Sequence, residues 1–413
     1  MTAVRPRRIL ITGISSQLGG RLAQALEREE ACEAIIGIDS DDPRHEFHRA
    51  EFVRVGLERR SLARILRAAQ IDTVIDTRLV ADALAAPLAV VDEVNVGGTQ
   101  ELLAACTGPD APVRQLVFKS SAAFYGAEPG DPAFLGEDMA RQRPPRTALE
   151  RSIVAAEEAV ARFAQRDRRC RVAVIRATDV IGAEGPSSLS ALLSLPVVPA
   201  MLGFDPRLQV IHVDDLIGAL AHAVLARLAG VYNAAGDGVL VLSEAAGLLG
   251  KSMLPMLPPW GPGFAAAQLR RLGVRVPVEL LRQLRYGRGL DNRALKATGY
   301  HYRYTSRETL IELRAQQRLR PLLGSGSDGY RYEPDLEEFL RWSPSVRSAR
   351  ERSGAGDAAP GRGFDAMAVG ELIDLIPSLD VAALRALARY EADHQGRAAV
   401  LEALERSLSG KGG

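Results

Sequence analysis

The sequence predicts an α/β fold: a doubly wound parallel sheet with a smaller second lobe, followed by an all-α appendage toward the C-terminal end. Three observations predict it. Arg8-Ile9-Leu10-Ile11-Thr12 reads as a buried strand running into a glycine-rich turn, Gly13 to Gly20, and then into a helix. Short apolar strands alternate with helical periodicity through roughly the first 180 residues, the pattern of a parallel sheet covered on both faces. Past residue 320 the chain turns rich in Gly, Ser and Arg before amphipathic periodicity returns.

Taken in order, strands are expected at 8–12, 34–38, 51–55, 72–76, 114–119 and 171–176. Leu18, Leu22, Ala25 and Leu26 recur at helical spacing after the glycine turn. Further helices are expected over Ser61–Ala69, Val90–Cys106 and Ala148–Arg166, the last with Ile153, Ala156, Val160 and Phe163 on one face. The main domain is set at 1–318, with a second lobe mainly over 179–318. In that lobe Pro196–Gln209 reads as loops over a pocket, Val231–Gly236 as a strand, Ser243–Gly250 as a helix and Lys251–Pro262 as a surface connection. Helical segments follow over 263–288 and 306–317. Residues 319–363 read as a flexible linker with a short helix at Asp335–Trp342, and 364–410 as a helical module. Leu372, Leu375 and Ile376 mark its first helix; Asp380 caps a second with Val381, Leu384 and Leu387; Gly396 precedes a third with Val400, Leu401, Leu404 and Leu408.

Whole-chain totals narrow the function classes. The 413 residues carry a net charge of +1, which argues against nucleic acid or an anionic membrane as partner. The apolar run from Leu189 to Leu202 is broken by Pro196 and Pro199, so no spanning helix is expected. Cys32, Cys106 and Cys170 are widely spaced and odd in number, which suggests buried thiols in a reducing cytoplasm rather than disulfides or a metal site. Arg5, Arg7 and Arg8 lead straight into the first strand, so no signal peptide is expected. Only four lysines occur, at 119, 251, 296 and 411.

The glycine turn has a chemical reading. Its helix start would receive a pyrophosphate, and Asp39, at the end of Ile35-Ile36-Gly37-Ile38-Asp39, stands about twenty residues on, where a carboxylate holds ribose hydroxyls. The spacing resembles the TGxxGxxG of extended short-chain dehydrogenases/reductases, the NAD-dependent epimerase/dehydratase group, with Ser16 in place of the middle glycine. Asn95-Val96-Gly97-Gly98-Thr99 is similar to that family's NVxGT motif. Leu116 to Gly126 is similar to its SSxxVYG segment, and Ile211 to Asp215 to its IHVDD. The likeness covers roughly Arg7 to Arg314. It implies a Rossmann-type fold in which Gly13, Ser15, Ser16, Gln17, Leu18, Gly19, Asp39 and Asn95 contact the cofactor. Ser121 falls where the family's Ser or Thr bonds the substrate, though a serine there also caps a strand end.

The family's proton-transferring pair, a tyrosine with a lysine four residues on, is missing. Aligning Glu157 with the family's helix acid puts Leu149 and Ile153 at those positions. No tyrosine in the chain is followed by lysine four residues later, so no shift of register restores the pair. Tyr125, Arg151 and His212 remain as substitutes or as structural residues; Tyr125 joins Ser121 as a catalytic candidate. Three cofactor positions also depart from the family: Ser16, Gly56 where an acid contacts adenine, and Arg78 where small residues let the cofactor lie against backbone. Arg78 either pairs with a phosphate or fills the groove. Asp39 favours NAD over NADP.

Three functional readings follow. The chain is a catalytically degenerate epimerase/dehydratase-like protein that binds NAD or a partner as regulator or scaffold. Alternatively it is a working enzyme on a nucleotide-sugar-like small molecule with a non-standard acid or base, or an interaction protein with an empty cleft. The C-terminal helices would dock onto the main domain, a second copy or another protein.

Overall fold

The computed structural model describes residues 6–56, 58–108, 110–182, 187–256, 277–319, 369–376, 379, 381–393 and 396–411. The chain divides into two compact units, 1–321 and 322–413.

In the first unit, strand β1 (Arg7–Thr12) leads through the glycine turn into helix α1 (Gln17–Glu27), and β2 (Cys32–Asp39) and β3 (Glu51–Arg54) follow. Next come α2 (Arg59–Ala68) and β4 (Thr73–Asp76). The single helix expected over 90–106 is α3 (Leu88–Asp92), a π-helical stretch at Glu93–Gly98, and α4 (Thr99–Ala105). The buried Asn95 occupies that π-stretch and turns its side chain out of the helical ladder to bond Val80. Then come β5 (Gln115–Ser121), α5 (Ala148–Arg166) and β6 (Arg171–Ala177).

The second lobe begins with β7 (Asp179–Ile181), α6 (Ser188–Ser194), β8 (Val197–Met201), β9 (Arg207–Leu208) and β10 (Val210–His212). The chain continues through α7 (Val213–Leu225), β11 (Gly230–Ala234), β12 (Leu240–Val241), α8 (Leu242–Leu249) and β13 (Ser252–Met256). It closes with α9 (Val278–Tyr286), α10 (Arg293–Ala297) and α11 (Ser306–Leu319).

Among the described residues the main sheet has seven strands in the order β11-β6-β5-β4-β1-β2-β3, each pair parallel. The central strands are apolar on both faces because helices cover both. Leu10, Val74 and Phe118 pack with Val160 and Phe163 of α5 on one side. Ile9, Ile11, Ile75 and Val117 pack with Leu22 and Leu26 of α1 and Leu216 and Leu220 of α7 on the other. Strand order reverses at β1, between β2 and β4, which opens a crevice above the C-terminal ends of those strands.

The second lobe departs from expectation in detail. Residues 252–256 pair as a strand with Val197–Met201, although Pro199 and Pro255 suggested connection there; two-stranded edges tolerate proline because only one side of each strand is hydrogen-bonded. Leu192, Val198, Leu242, Leu281 and Leu310 form this lobe's core. α8 ends at Gly250, whose φ of +70° places it in the left-handed conformation that closes a helix.

In the second unit, α12 (Val369–Leu375), α13 (Val381–Asp393) and α14 (Ala398–Lys411) enclose a small core of Leu372, Ile376, Leu384, Leu387, Val400 and Leu404. The expected linker and Asp335–Trp342 helix, the Asp380 cap and the helical stretch over 263–276 lie outside the described residues.

Candidate ligand-binding cleft

Gly13 turns the chain at the end of β1 with a φ of +81°, and its N–H donates to the Ile38 carbonyl at 3.1 Å. A Cβ on Gly19 would stand 2.1 Å from the Gly13 oxygen, so the close approach of α1 to the turn requires glycine at that position. Ser16 is the N-cap of α1: its Oγ accepts from the Gly19 amide at 3.0 Å and donates to the Gly13 carbonyl at 2.7 Å. Polar groups of the turn thus satisfy one another. Asp39 joins them, with Oδ2 accepting the Ser15 amide at 3.1 Å and Oδ1 the Ser40 amide at 2.8 Å. The Ser15 hydroxyl donates to the Asp41 carbonyl.

Arg78 crosses the crevice two residues past β4. Its Nε donates to Asp76 Oδ1 at 2.9 Å and to Thr12 Oγ1 at 3.0 Å, and Nη2 donates to Asp76 Oδ2 at 2.7 Å. The side chain is 9% exposed, and its Cγ lies 2.8 Å from where a Cβ on Gly13 would be. Among the described residues Nη1 is buried without a hydrogen-bond partner.

A cavity of about 700 Å³ opens from this point toward the second lobe. Ser16, Gln17, Leu18 and Arg78 line its end at the glycine turn; Lys119, Ser121, Leu149 and Thr178 line its middle; Asp179, Arg282 and Arg288 line its far end. Lys119 Nζ donates to the Leu79 carbonyl at 2.8 Å. Burial disfavours its charged form and lowers its pKa to about 8, against a smaller opposing pull from Asp76. Ser121 Oγ accepts from the Ala123 amide at 3.1 Å, the capping duty a strand-end serine performs, and its proton remains available to the cavity it lines. Thr178 Oγ1 is buried without a partner among the described residues.

At the start of α5, Leu149 and Ile153 are 2% and 0% exposed and belong to the core beneath the sheet. Glu150 instead enters an ion network, accepting from Arg141, from the Arg146 amide at 2.9 Å and from Arg282 Nη1 at 3.1 Å; Arg282 also pairs with Glu128. These carboxylates and guanidiniums neutralise one another at the far wall.

Of the sequence candidates, Ser16, Gln17, Leu18 and Ser121 line the cavity together. Gly13, Ser15, Gly19 and Asp39 shape the turn behind it. Asn95 faces away, clamping the loop after β4 through Val80 N (2.7 Å) and O (2.9 Å) and reaching Ser152 Oγ of α5 at 3.0 Å. Tyr125 lies outside the cavity lining. Its hydroxyl donates to Asn233 Oδ1 at 2.9 Å and accepts from Arg176 Nη1 at 2.8 Å, and burial raises its pKa. Arg176 is held in turn by Glu157, to which Ser120 also donates. His212 caps α7 through Nδ1, accepting the Asp214 amide at 3.2 Å, and stacks on Tyr304. Exposed Arg151 bonds the Arg146 carbonyl at 3.1 Å. Gly56 has nothing within 4 Å of a Cβ placed on it. Among the described residues no group of His, Cys, Asp and Glu could hold a metal, and no helix is long and apolar enough to cross a membrane.

Lys119 and Thr178 were not singled out as cleft residues by sequence. Strand alternation carries the signal for the first, since Lys119 stands two residues before Ser121 and so on the same face of β5. Thr178 gives none, because a threonine after a strand is commonplace.

A model of the NAD dependent epimerase/dehydratase family matches residues 9–235. Uncharacterized proteins of Mycobacterium tuberculosis and Mycobacterium bovis are each 32% identical over 332 residues, 77% of this chain and 86% of theirs. Three solved structures share the fold at a TM-score of 0.57. A putative epimerase from Burkholderia cenocepacia is 20% identical and covers 76% of this chain and 100% of its own. A dTDP-glucose 4,6-dehydratase from Bacillus anthracis in complex with NAD is 16% identical, with coverage of 76% and 96%. A UDP-glucose 4-epimerase from Thermus thermophilus in complex with NAD is 20% identical, with coverage of 76% and 99%.

Proposed function

Since the chain belongs to the NAD dependent epimerase/dehydratase family, we propose that it binds NAD in this cleft as a regulator or scaffold and has lost the family's proton-transfer chemistry. The observation that carries the reading is the chemistry of the first turns of α5: Leu149, on the cavity wall, and Ile153, in the apolar core, are aliphatic side chains that can neither hold nor move a proton. The residues present still fit the cofactor. Asp39 stands at the end of β2 for the ribose hydroxyls, and Ser16 to Leu18 open α1 onto the cavity. Arg78 Nη1 is a buried donor awaiting an acceptor. When bound, NAD supplies a hydride acceptor. Tyr125 does not complement it as a base: Arg176 and Asn233 occupy its hydroxyl, and burial holds its proton on. The remaining cavity, with Ser121 and Thr178 on its wall, suits a small polar ligand such as a nucleotide sugar.

Thermal shift and absorbance on the purified full chain test this. NAD should raise the melting temperature, since a ligand of the native state stabilises it. A panel of nucleotide sugars should produce no change at the reduced-cofactor wavelength. Steady reduction of NAD by any of them sinks the reading.

Lys119 favours a second reading, a working enzyme on a nucleotide sugar. An amine with a pKa of about 8 beside Ser121 could exchange a proton near neutrality, the task the missing pair performs elsewhere. Under this reading turnover exists, and both Ser121→Ala and Lys119→Met abolish it while NAD still binds.

A further inference from the structure

Arg78 is fixed along one edge and unsatisfied on the other. Asp76 takes Nε and Nη2 in a two-point pair, Thr12 Oγ1 takes Nε as well and the Gly98 carbonyl takes Nη2 at 3.4 Å, so the guanidinium plane cannot swing without breaking four hydrogen bonds. Among the described residues Nη1 is left buried with no partner, on a side chain 91% removed from solvent that lines the cavity beside Ser16, Gln17 and Leu18. A buried, unpaired donor on a charged group is costly, and it persists where a ligand supplies the acceptor. The ligand must bring an acceptor, because Nη1 can only donate and the two nearest carboxylates are engaged, Asp76 by Arg78 and Asp82 by the Ser188 amide and hydroxyl; a phosphoryl oxygen meets a guanidinium best.

The same geometry accounts for Ser16. A serine at the middle glycine position turns its hydroxyl onto the Gly19 amide, removing one backbone donor from the start of α1. Arg78 places a charged donor at the other side of that turn, with its Cγ against Gly13. We propose that Arg78 is the anion anchor of the cleft, Nη1 taking a phosphoryl oxygen of the dinucleotide's pyrophosphate opposite the first residues of α1, in place of the amide that Ser16 consumes. The inference rests on the NAD reading for the identity of the anion. The interaction is a charge-assisted hydrogen bond with no covalent step.

Calorimetric titration of the full chain with NAD, ADP, adenosine and inorganic pyrophosphate tests it. Removing Arg78 alone would strand the buried Asp76 charge, so the variant is the pair Asp76→Asn with Arg78→Met, its fold checked by circular dichroism; Arg78→Lys, which keeps the charge without the fork, is the second variant. The wild type should bind ADP more tightly than adenosine. Both variants should weaken NAD and ADP about tenfold or more and leave adenosine unchanged. If the wild type binds ADP and either folded variant matches it, Arg78 is not the anchor, and the NAD reading survives. If the wild type binds neither NAD nor ADP, the NAD reading fails; pyrophosphate binding that depends on Arg78 then still supports an anion site, and its absence overturns both.

Discussion

A lysine amine enclosed by protein must give up hydration to stay charged, and among the described residues the Leu79 carbonyl and the charge of Asp76 offset only part of that loss for Lys119. Its pKa of about 8 lies below the ordinary lysine value of about 10.4. Between those two values the unfolded chain binds more protons than the folded one. Lys119 therefore makes stability rise with pH across that window; below about 8 both states are protonated and the penalty is constant. Acylation followed by peptide mapping should show Lys119 labelled half-maximally near pH 8, and a midpoint near 10 would refute the assignment. The Glu157–Arg176 pair makes a second expectation at this scale. Both side chains are 6% exposed and joined by a fork of hydrogen bonds at 2.7 and 3.1 Å, so Glu157→Gln should cost about 3–5 kcal/mol by leaving the guanidinium uncompensated. Denaturant unfolding that showed a loss under about 1 kcal/mol would contradict this. Neither environment could be read from a linear sequence. Lys119 was legible as a scarce residue near Ser121, but the carbonyl that meets its amine, that of Leu79, comes from the loop after β4.

At the scale of elements, the turn between β1 and α1 carries the most constraint. Gly19 and Gly97 look alike in sequence, each belonging to a family-like glycine motif. A Cβ on Gly19 meets the Gly13 oxygen at 2.1 Å, whereas one on Gly97 meets nothing within 4 Å. Gly19→Ala should therefore lower stability by about 1–3 kcal/mol or more, because backbone must move to admit the methyl group. Gly97→Ala, inside a helical stretch, should be neutral or slightly stabilising. Paired chemical-denaturation curves distinguish them, and equal effects would show that the turn is looser than its geometry implies. The sequence predicted every strand of the main sheet within two residues; the central ones are continuous apolar runs because they are buried on both faces, whereas the edge strand β3 (Glu51–Arg54) is largely exposed and has only Phe52 and Val53 to mark it. It missed the π-stretch at Glu93–Gly98, since helical periodicity in side chains does not report a change in backbone ladder, and it missed the β8–β13 pair because its prolines spoke for connection.

For the whole molecule, the separate cores matter. Unit 1–321 encloses three extensive apolar clusters, while the helices of 369–411 enclose one of their own around Leu384 and Val400. We propose that residues 364–413 form a separable docking module. Deleting them should leave the remaining chain soluble and cooperatively unfolding, with its melting temperature shifted by no more than a few degrees, about what 1 kcal/mol produces in a domain of this size. Aggregation of the truncated chain would mean that those helices cover its core. The isolated module should be only marginally folded, as small helical units with a single core are.

The sequence by itself determined the strand order of events along the chain, the family motifs and the absence of any tyrosine–lysine pair, because periodicity, spacing and residue identity are properties of a line of letters. Only the tertiary structure decided that Tyr125 is sealed between Arg176 and Asn233, that Asn95 clamps a loop, and that Arg78 lies across Gly13 with one nitrogen unpaired. The reason is physical: a side chain's chemistry depends on what removes its water and which partners fill its hydrogen bonds, and those neighbours arrive from β4, β6 and β11, far away in the chain.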